Sequence, residues 1–161
     1  YIKDKCQHLY QPRQNITVDE RMVKSKARSG FRQYIRDKPT KWGFKLWVLA
    51  CAETGYTYRF DVYTGATEQR SPNGLAYDVV VRLCSPLYGM GYKLFVDKFY
   101  TSEHLFRDLL RNDIMACGTM RLDRKGFPPN IEKCQAMGKR CCKRGHEVGE
   151  KARLADSTME R

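Results

Sequence analysis

The chain has 161 residues, 42% of them hydrophobic, which is enough for one domain with a core and room for a tail. No apolar run approaches the roughly 20 residues that span a bilayer, and the start shows no signal-peptide pattern, so we expect no membrane segment. The first residue is Tyr1 and not Met, which suggests a piece of a longer protein. Lys and Arg number 30 against 18 acidic residues, and this net charge of +12 favours nucleic acid as a partner over a generic basic soluble protein.

Apolar and β-branched runs, separated by Gly and Pro turns, predict seven elements in chain order. Strands are expected over 16–23, 44–52, 56–63, 92–96 and 114–120, and helices over 75–83 and 103–111. Ser102 has the side chain of an N-cap for the second helix, and Pro86 ends the first. Three antiparallel strands followed by alternating helices and strands predict an α/β fold: an RNase H-like mixed sheet with flanking helices, here incomplete.

Two aspartates each follow a short apolar run of the strand type. Asp19 comes directly after 16–18, and Asp97 comes directly after 92–96. In an RNase H-like sheet the two strands that carry them are neighbours, so the two carboxylates would share a divalent cation. Carboxylate oxygens that hold two such ions are the basis of two-metal phosphoryl transfer. The alternative for each aspartate is an ordinary carboxylate at a strand end.

Two further acidic residues lie close to these aspartates in the sequence. Glu20 is expected at the surface and opposite to Asp19, because neighbours on a strand face opposite sides. Glu103 is expected to be a first-turn acid that the helix dipole favours. For both residues an ordinary structural role is favoured over that of a replacement metal ligand.

A basic segment, residues 24–41, carries aromatic residues between its charges. The residues expected to contact DNA phosphates in it, and just after it, are Arg28, Arg32, Lys38, Lys41 and Lys45. The alternative is a solvated charged face. Tyr34 and Trp42 are expected in the core, with stacking on unpaired bases as the alternative.

Seven cysteines make an odd count. Three of them, Cys51, Cys84 and Cys117, lie in apolar segments and are expected to be small core residues in a reducing compartment. A late cluster has poor spacing for zinc because it lacks a CxxC pair, so we interpret it as part of an irregular basic tail. Its members are Cys134, Cys141, Cys142 and His146.

Four segments, in this order, resemble the transposase domain of piggyBac elements and of their domesticated derivatives. They are Asn15–Glu20 (NITVDE), Gly30–Ile35 (GFRQYI), Lys38–Lys45 (KPTKWGFK) and Val96–Ser102 (VDKFYTS). The resemblance implies an RNase H-like DDE/D core that cleaves DNA and transfers strands with Mg²⁺ or Mn²⁺. It also implies that Asp19 and Asp97 are the first and second catalytic acids and bind the metal.

The same resemblance implies DNA as the partner, a homodimer and a nuclear location. Gly118–Arg121 (GTMR) resembles the family motif after the last strand, and Arg121 and Arg124 fall where the family places basic residues that contact DNA. We therefore interpret residues 1–130 as a partial transposase domain and residues 131–161 as a divergent basic tail.

The sequence departs from the family pattern at two positions. The family's third catalytic aspartate lies far beyond the second and has no counterpart in this chain, and Lys98 replaces the asparagine usual after the second. We expect this chain alone to be inactive in strand transfer, because two-metal catalysis needs a third ligand to fix the second ion. The alternative is a non-catalytic, domesticated DNA-binding module that keeps the fold and the basic surface.

Overall fold

The structure is a computed structural model that describes residues 1–65 and 71–120. The strands in these ranges are β1 (Asn15–Lys24), β2 (Gln33–Tyr34), β3 (Trp42–Cys51), β4 (Thr57–Val62), β5 (Lys93–Val96) and β6 (Met115–Gly118). The α-helices are α1 (Ile2–Leu9), α2 (Leu75–Cys84) and α3 (Glu103–Arg111), and a 3-10 turn follows α2 at Ser85–Leu87. No helix within these ranges is both long and apolar enough to cross a membrane.

The strands form one mixed sheet with β1 at its centre. β1 pairs antiparallel with β3 on one side and parallel with β5 on the other. On its far side β3 pairs antiparallel with both β4 and the short β2, while β5 pairs parallel with β6. This order confirms the predicted RNase H-like mixed sheet, in which the first strand lies beside the strand that precedes Asp97.

The core lies on the face of the sheet that α2 and α3 cover. It takes alternate residues of the strands and the apolar faces of both helices, among them Ile16, Val18, Leu49, Leu94, Val79, Val80, Leu83, Leu105 and Leu109. Each such burial contributes about 1.5–3 kcal/mol. The predicted N-cap is confirmed, because Ser102 Oγ accepts a 3.3 Å hydrogen bond from the Leu105 amide. The intervening residues of β1, Thr17 and Asp19, point to the other face.

The helix α1 was not predicted from the sequence. None of its residues is buried, so it adds no side chain to the apolar core. It is held along β4 by polar contacts: Lys3 Nζ lies 2.7 Å from Asp61 Oδ1, and the Cys6 carbonyl accepts a 3.1 Å hydrogen bond from Tyr56.

The expectation that the three cysteines in apolar segments lie in the core was right for two and wrong for one. Cys51 and Cys84 are fully buried, whereas Cys117 is exposed. The reason is its place on β6, where it pairs with Phe95, which is 42% exposed on the sheet face that α2 and α3 do not cover. The late Cys and His cluster and the proposed tail, residues 131–161, lie outside the described residues.

Candidate functional site

The sheet register places Asp19 and Asp97 side by side. The last pair between the parallel strands β1 and β5 is Val18 with Val96, and the two aspartates are the next residue along each strand. Neighbouring strands lie about 4.8 Å apart, so the two backbones are close at this point. Both side chains are exposed. We call these two residues the aspartate pair.

Local hydrogen bonds fix both carboxylates. Asp19 Oδ1 accepts a 2.7 Å bond from the Glu20 amide, and Asp97 Oδ1 accepts a 2.9 Å bond from the Phe99 amide. The Asp97 carbonyl also accepts from the Thr101 hydroxyl at 2.9 Å and from the amides of Tyr100 and Thr101. The tight turn after β5 therefore orients Asp97. Each ionised carboxylate still has lone pairs for another partner, because it accepts at two oxygens.

The aspartate pair fits a divalent cation by its donor chemistry. Neither carboxylate forms a salt bridge within the part of the chain that the structure describes, although the chain is strongly basic. Carboxylate oxygens are the ligands that Mg²⁺ and Mn²⁺ prefer. Across residues 1–65 and 71–120, no three His, Cys, Asp or Glu side chains group closely enough to hold an ion together. Within the described residues, the two carboxylates are thus the groups here that could hold a metal ion.

Glu20, next to Asp19, has the opposite environment. Its carboxylate lies 2.7 Å from Lys45 Nζ and 3.5 Å from Lys38 Nζ. It faces the same side as Ile16 and Val18 and is partly buried, so the expectation of a surface group was wrong. Burial alone would raise the pKa of the Glu20 carboxyl, but the hydrogen bonds and charges of Lys45 and Lys38 outweigh it and lower that pKa.

Lys45 is enclosed by aromatic rings as well as by Glu20. Its Nζ lies 5.8, 6.0 and 5.8 Å from the ring centroids of Trp47, Tyr63 and Phe99, within range of cation–π attraction. Phe99 belongs to the turn after Asp97, so this ammonium joins β1, β3 and that turn. We call the group of Glu20, Lys38 and Lys45 with these three rings the lysine layer. The only sequence signal for this layer was Lys45, which stands between Phe44 and Trp47 in an apolar strand.

The basic segment lies beside β3. β2 pairs with the start of β3, and Arg28 and Lys41 are exposed. Arg32 is partly buried, with its guanidinium 5.1 Å from the Trp42 ring and Nη1 bonded to the Ala27 carbonyl at 3.2 Å. Arg32 therefore already has an internal partner, as do Lys38 and Lys45. Contact of all these residues with DNA stays a prediction, and the same holds for Arg121 and Arg124, which lie outside the described residues.

The aromatic residues of this segment, and Trp42 directly after it, are at the surface. Phe31, Tyr34 and Trp42 are each 52% exposed, and the rings of Tyr34 and Trp42 lie 5.1 Å apart. The expectation that Tyr34 and Trp42 belong to the core was therefore wrong. Only two residues of β2 pair with β3.

Three other predicted positions have clear places. Lys98 is exposed in the turn directly after Asp97. Glu103 is exposed in the first turn of α3, as expected, and pairs with Arg107. Gly118 ends β6, and a Cβ there would lie 2.7 Å from the Val96 carbonyl oxygen. Glycine thus permits β6 to approach closely at the residue before Asp97.

Residues 1–153 match the sequence profile of the family described as Transposase IS4. The chain belongs to this transposase family. It is 29% identical over 131 residues to the human PiggyBac transposable element-derived protein 3, covering 76% of this chain and 21% of that protein. It is 31% identical over 93 residues to the human PiggyBac transposable element-derived protein 5, covering 52% of this chain and 17% of that protein.

A solved structure agrees with these sequence matches. A chain of the piggyBac transposase synaptic complex with hairpin DNA superposes with a TM-score of 0.73 at 27% identity, covering 81% of this chain and 28% of that one. The resemblance to piggyBac-like transposases is therefore confirmed. The chain spans about a fifth of the length of the human PiggyBac transposable element-derived protein 3.

Proposed function

We propose that this chain is the part of a piggyBac-like transposase that carries the first two catalytic acids, Asp19 and Asp97, and binds DNA. The observation that carries the proposal is the aspartate pair: two exposed carboxylates without salt bridges in the described chain, one residue beyond the last pair of two parallel strands. Family membership supports the reaction class, DNA strand cleavage and transfer.

Asp19 and Asp97 would hold Mg²⁺ or Mn²⁺. Bound there, such an ion polarises phosphoryl oxygens and lowers the pKa of a bound water. The chain's own contribution is to keep the two carboxylates oriented and open to the substrate. Because cleavage needs a third ligand for the second ion, we expect this chain alone to be inactive in strand transfer.

The basic segment would bind the DNA backbone. Arg28 and Lys41 offer exposed charges to phosphates, and such contacts give an affinity that falls with salt. Tyr34 and Trp42 add exposed rings, which can stack on unpaired bases for about 1–3 kcal/mol per base. Arg32, Lys38, Lys45, Arg121 and Arg124 complete the proposed DNA-contact set. Action on DNA also suggests a nuclear protein, and we propose a homodimer as its assembly.

The second candidate is a non-catalytic, domesticated DNA-binding module. The exposed Tyr34 and Trp42 beside basic residues favour it, because they serve DNA binding without any metal. The two candidates differ in what a cation does. In the transposase domain the aspartate pair binds the ion, whereas in the module both metal and aspartates are dispensable.

The test is Mn²⁺ titration of the chain, followed by water-proton relaxation, with DNA binding measured in parallel. We expect Mn²⁺ binding in the wild type and its loss in Asp19→Asn/Asp97→Asn. The matched control is Asp78→Asn/Asp113→Asn, which changes the net charge by the same amount away from the pair. The module is supported if wild-type and Asp97→Asn chains bind DNA equally, with a salt dependence that Mg²⁺ does not alter. Cleavage of DNA by the chain alone would contradict the expected inactivity.

A further inference from the structure

The aspartate pair lies one residue beyond the last backbone pair between β1 and β5. The amide of Glu20 orients one carboxylate through a 2.7 Å hydrogen bond, and the amide of Phe99 orients the other through a 2.9 Å hydrogen bond. The position of the two carboxylates relative to each other therefore depends on how Glu20 and Phe99 are held.

Lys45 of β3 contacts both of these residues. Its Nζ lies 2.7 Å from Glu20 Oε2 and 5.8 Å from the centroid of the Phe99 ring. The ion pair and the cation–π attraction act on one ammonium group, so a shift of Glu20 or Phe99 away from the other weakens a contact. The side chains of Lys45 and Glu20 are only 18% and 26% exposed, which limits the screening of these attractions by water and salt.

We propose that Lys45 is a positioning residue of the aspartate pair: it fixes the spacing of the two carboxylates by holding Glu20 and Phe99 together. This inference rests on the proposed metal site. A cation shared by two carboxylates binds best when their separation is fixed in advance, and residues that orient metal ligands usually contribute about tenfold or more to the affinity. The role needs no DNA, so it is separate from the phosphate contact proposed for Lys45.

The positive charge of Lys45 and its positioning role predict opposite changes in metal affinity. Lys45→Met keeps an unbranched side chain and removes the ammonium group. Because the ammonium repels a bound cation, its loss would by electrostatics alone strengthen Mn²⁺ binding. The loss of positioning weakens Mn²⁺ binding instead, and we expect an affinity about tenfold lower, the lower end of the loss usual for residues that orient metal ligands. A fall in affinity therefore cannot come from the lost charge.

Lys3→Met is the matched control. Lys3 Nζ lies 2.7 Å from Asp61 Oδ1 and 5.6 Å from the centroid of the Phe60 ring, so this lysine also joins a carboxylate to an aromatic ring. Its two partners belong to β4, which β3 separates from β1. Lys3→Met removes the same charge and should lower the thermal midpoint through its lost ion pair, but it should leave the Mn²⁺ affinity unchanged.

Phe99→Leu tests the other end of the bridge without a change of charge. Leucine is apolar like phenylalanine but offers no ring to the ammonium group. We expect Mn²⁺ binding to weaken as in Lys45→Met, and to fall little further in the double variant, because both substitutions break the same bridge. Additive losses in the double variant would overturn the role of Lys45 through Phe99.

The closing experiment combines Mn²⁺ titration by water-proton relaxation with amide hydrogen exchange of the metal-free chain. The full-length chains compared are wild type, Lys45→Met, Lys3→Met, Phe99→Leu, Lys45→Met/Phe99→Leu and Asp19→Asn/Asp97→Asn. Weaker Mn²⁺ binding and faster exchange of the Glu20 and Phe99 amides in Lys45→Met, with neither change in Lys3→Met, support the proposal. Equal or stronger binding in Lys45→Met, with loss in the double aspartate variant, overturns the role of Lys45 and leaves the metal site intact. Absence of Mn²⁺ binding in the wild type overturns both.

Discussion

β1 presents two adjacent carboxylates in opposite electrostatic surroundings. Asp19 is exposed and forms no salt bridge in the described chain, whereas Glu20 is bound by two lysines on the other side of the strand. The two lysines of the lysine layer neutralise the Glu20 carboxylate within the fold. The aspartate pair keeps two negative charges at the surface of a chain with a net charge of +12. The difference separates a carboxylate used for stability from carboxylates left open to a cation.

Removal of Glu20 should therefore destabilise the fold. Glu20→Ala leaves Lys45 without its carboxylate among three aromatic rings. Breaking a fully buried pair costs about 3–5 kcal/mol, and partial exposure reduces this here to roughly 1–2 kcal/mol. We expect the thermal midpoint to fall by about 5 °C. Glu53→Ala is the control, because its pair with Arg13 is more exposed, at 39% and 65%, and should shift the midpoint less. A larger shift for Glu53→Ala would refute the comparison.

The same contrast predicts a pH dependence. The pKa of Glu20 in the folded chain is lowered from its ordinary 4.5. A lowered folded pKa means that the contribution is present above 4.5 and is lost as the pH falls through the folded value. The midpoint difference between wild type and Glu20→Gln should therefore be constant near neutral pH and shrink below 4.5. A difference that persists unchanged in acid would mean that the charge of Glu20 does not stabilise the fold.

The aspartate pair was predictable from the sequence because local patterns and the order of elements sufficed. Apolar runs located β1 and β5, and the RNase H-like order made them neighbours. The burial of Glu20 was also within reach, because Glu20 shares its strand face with Ile16 and Val18. The enclosure of Lys45 could not be predicted. Two of its rings, those of Tyr63 and Phe99, come from the end of β4 and from the turn after Asp97, which lie far apart in the sequence.

The wrong expectation for Tyr34 and Trp42 has a related cause. Tyr34 and Trp42 have strand-forming side chains, and burial was expected because aromatic residues beside strands usually belong to the core. Exposure depends on what covers the element, and β2 pairs through only two residues at the start of β3. Propensity thus identifies that a residue suits a strand, while the packing of distant segments decides whether the strand is covered.

The smallest expected effect comes from Lys98, the positive charge nearest in sequence to Asp97. Because it is exposed, its repulsion of a bound cation is weakened by water and amounts to a fraction of a kcal/mol, or about twofold to threefold in affinity. Lys98→Asn should therefore strengthen Mn²⁺ binding by that factor, and the gain should shrink as salt screens the charge. Lys93→Asn, an exposed lysine at the opposite end of β5, is the control and should change the affinity less. If Lys98→Asn weakens Mn²⁺ binding, or if both variants behave alike, the cation does not bind beside Asp97.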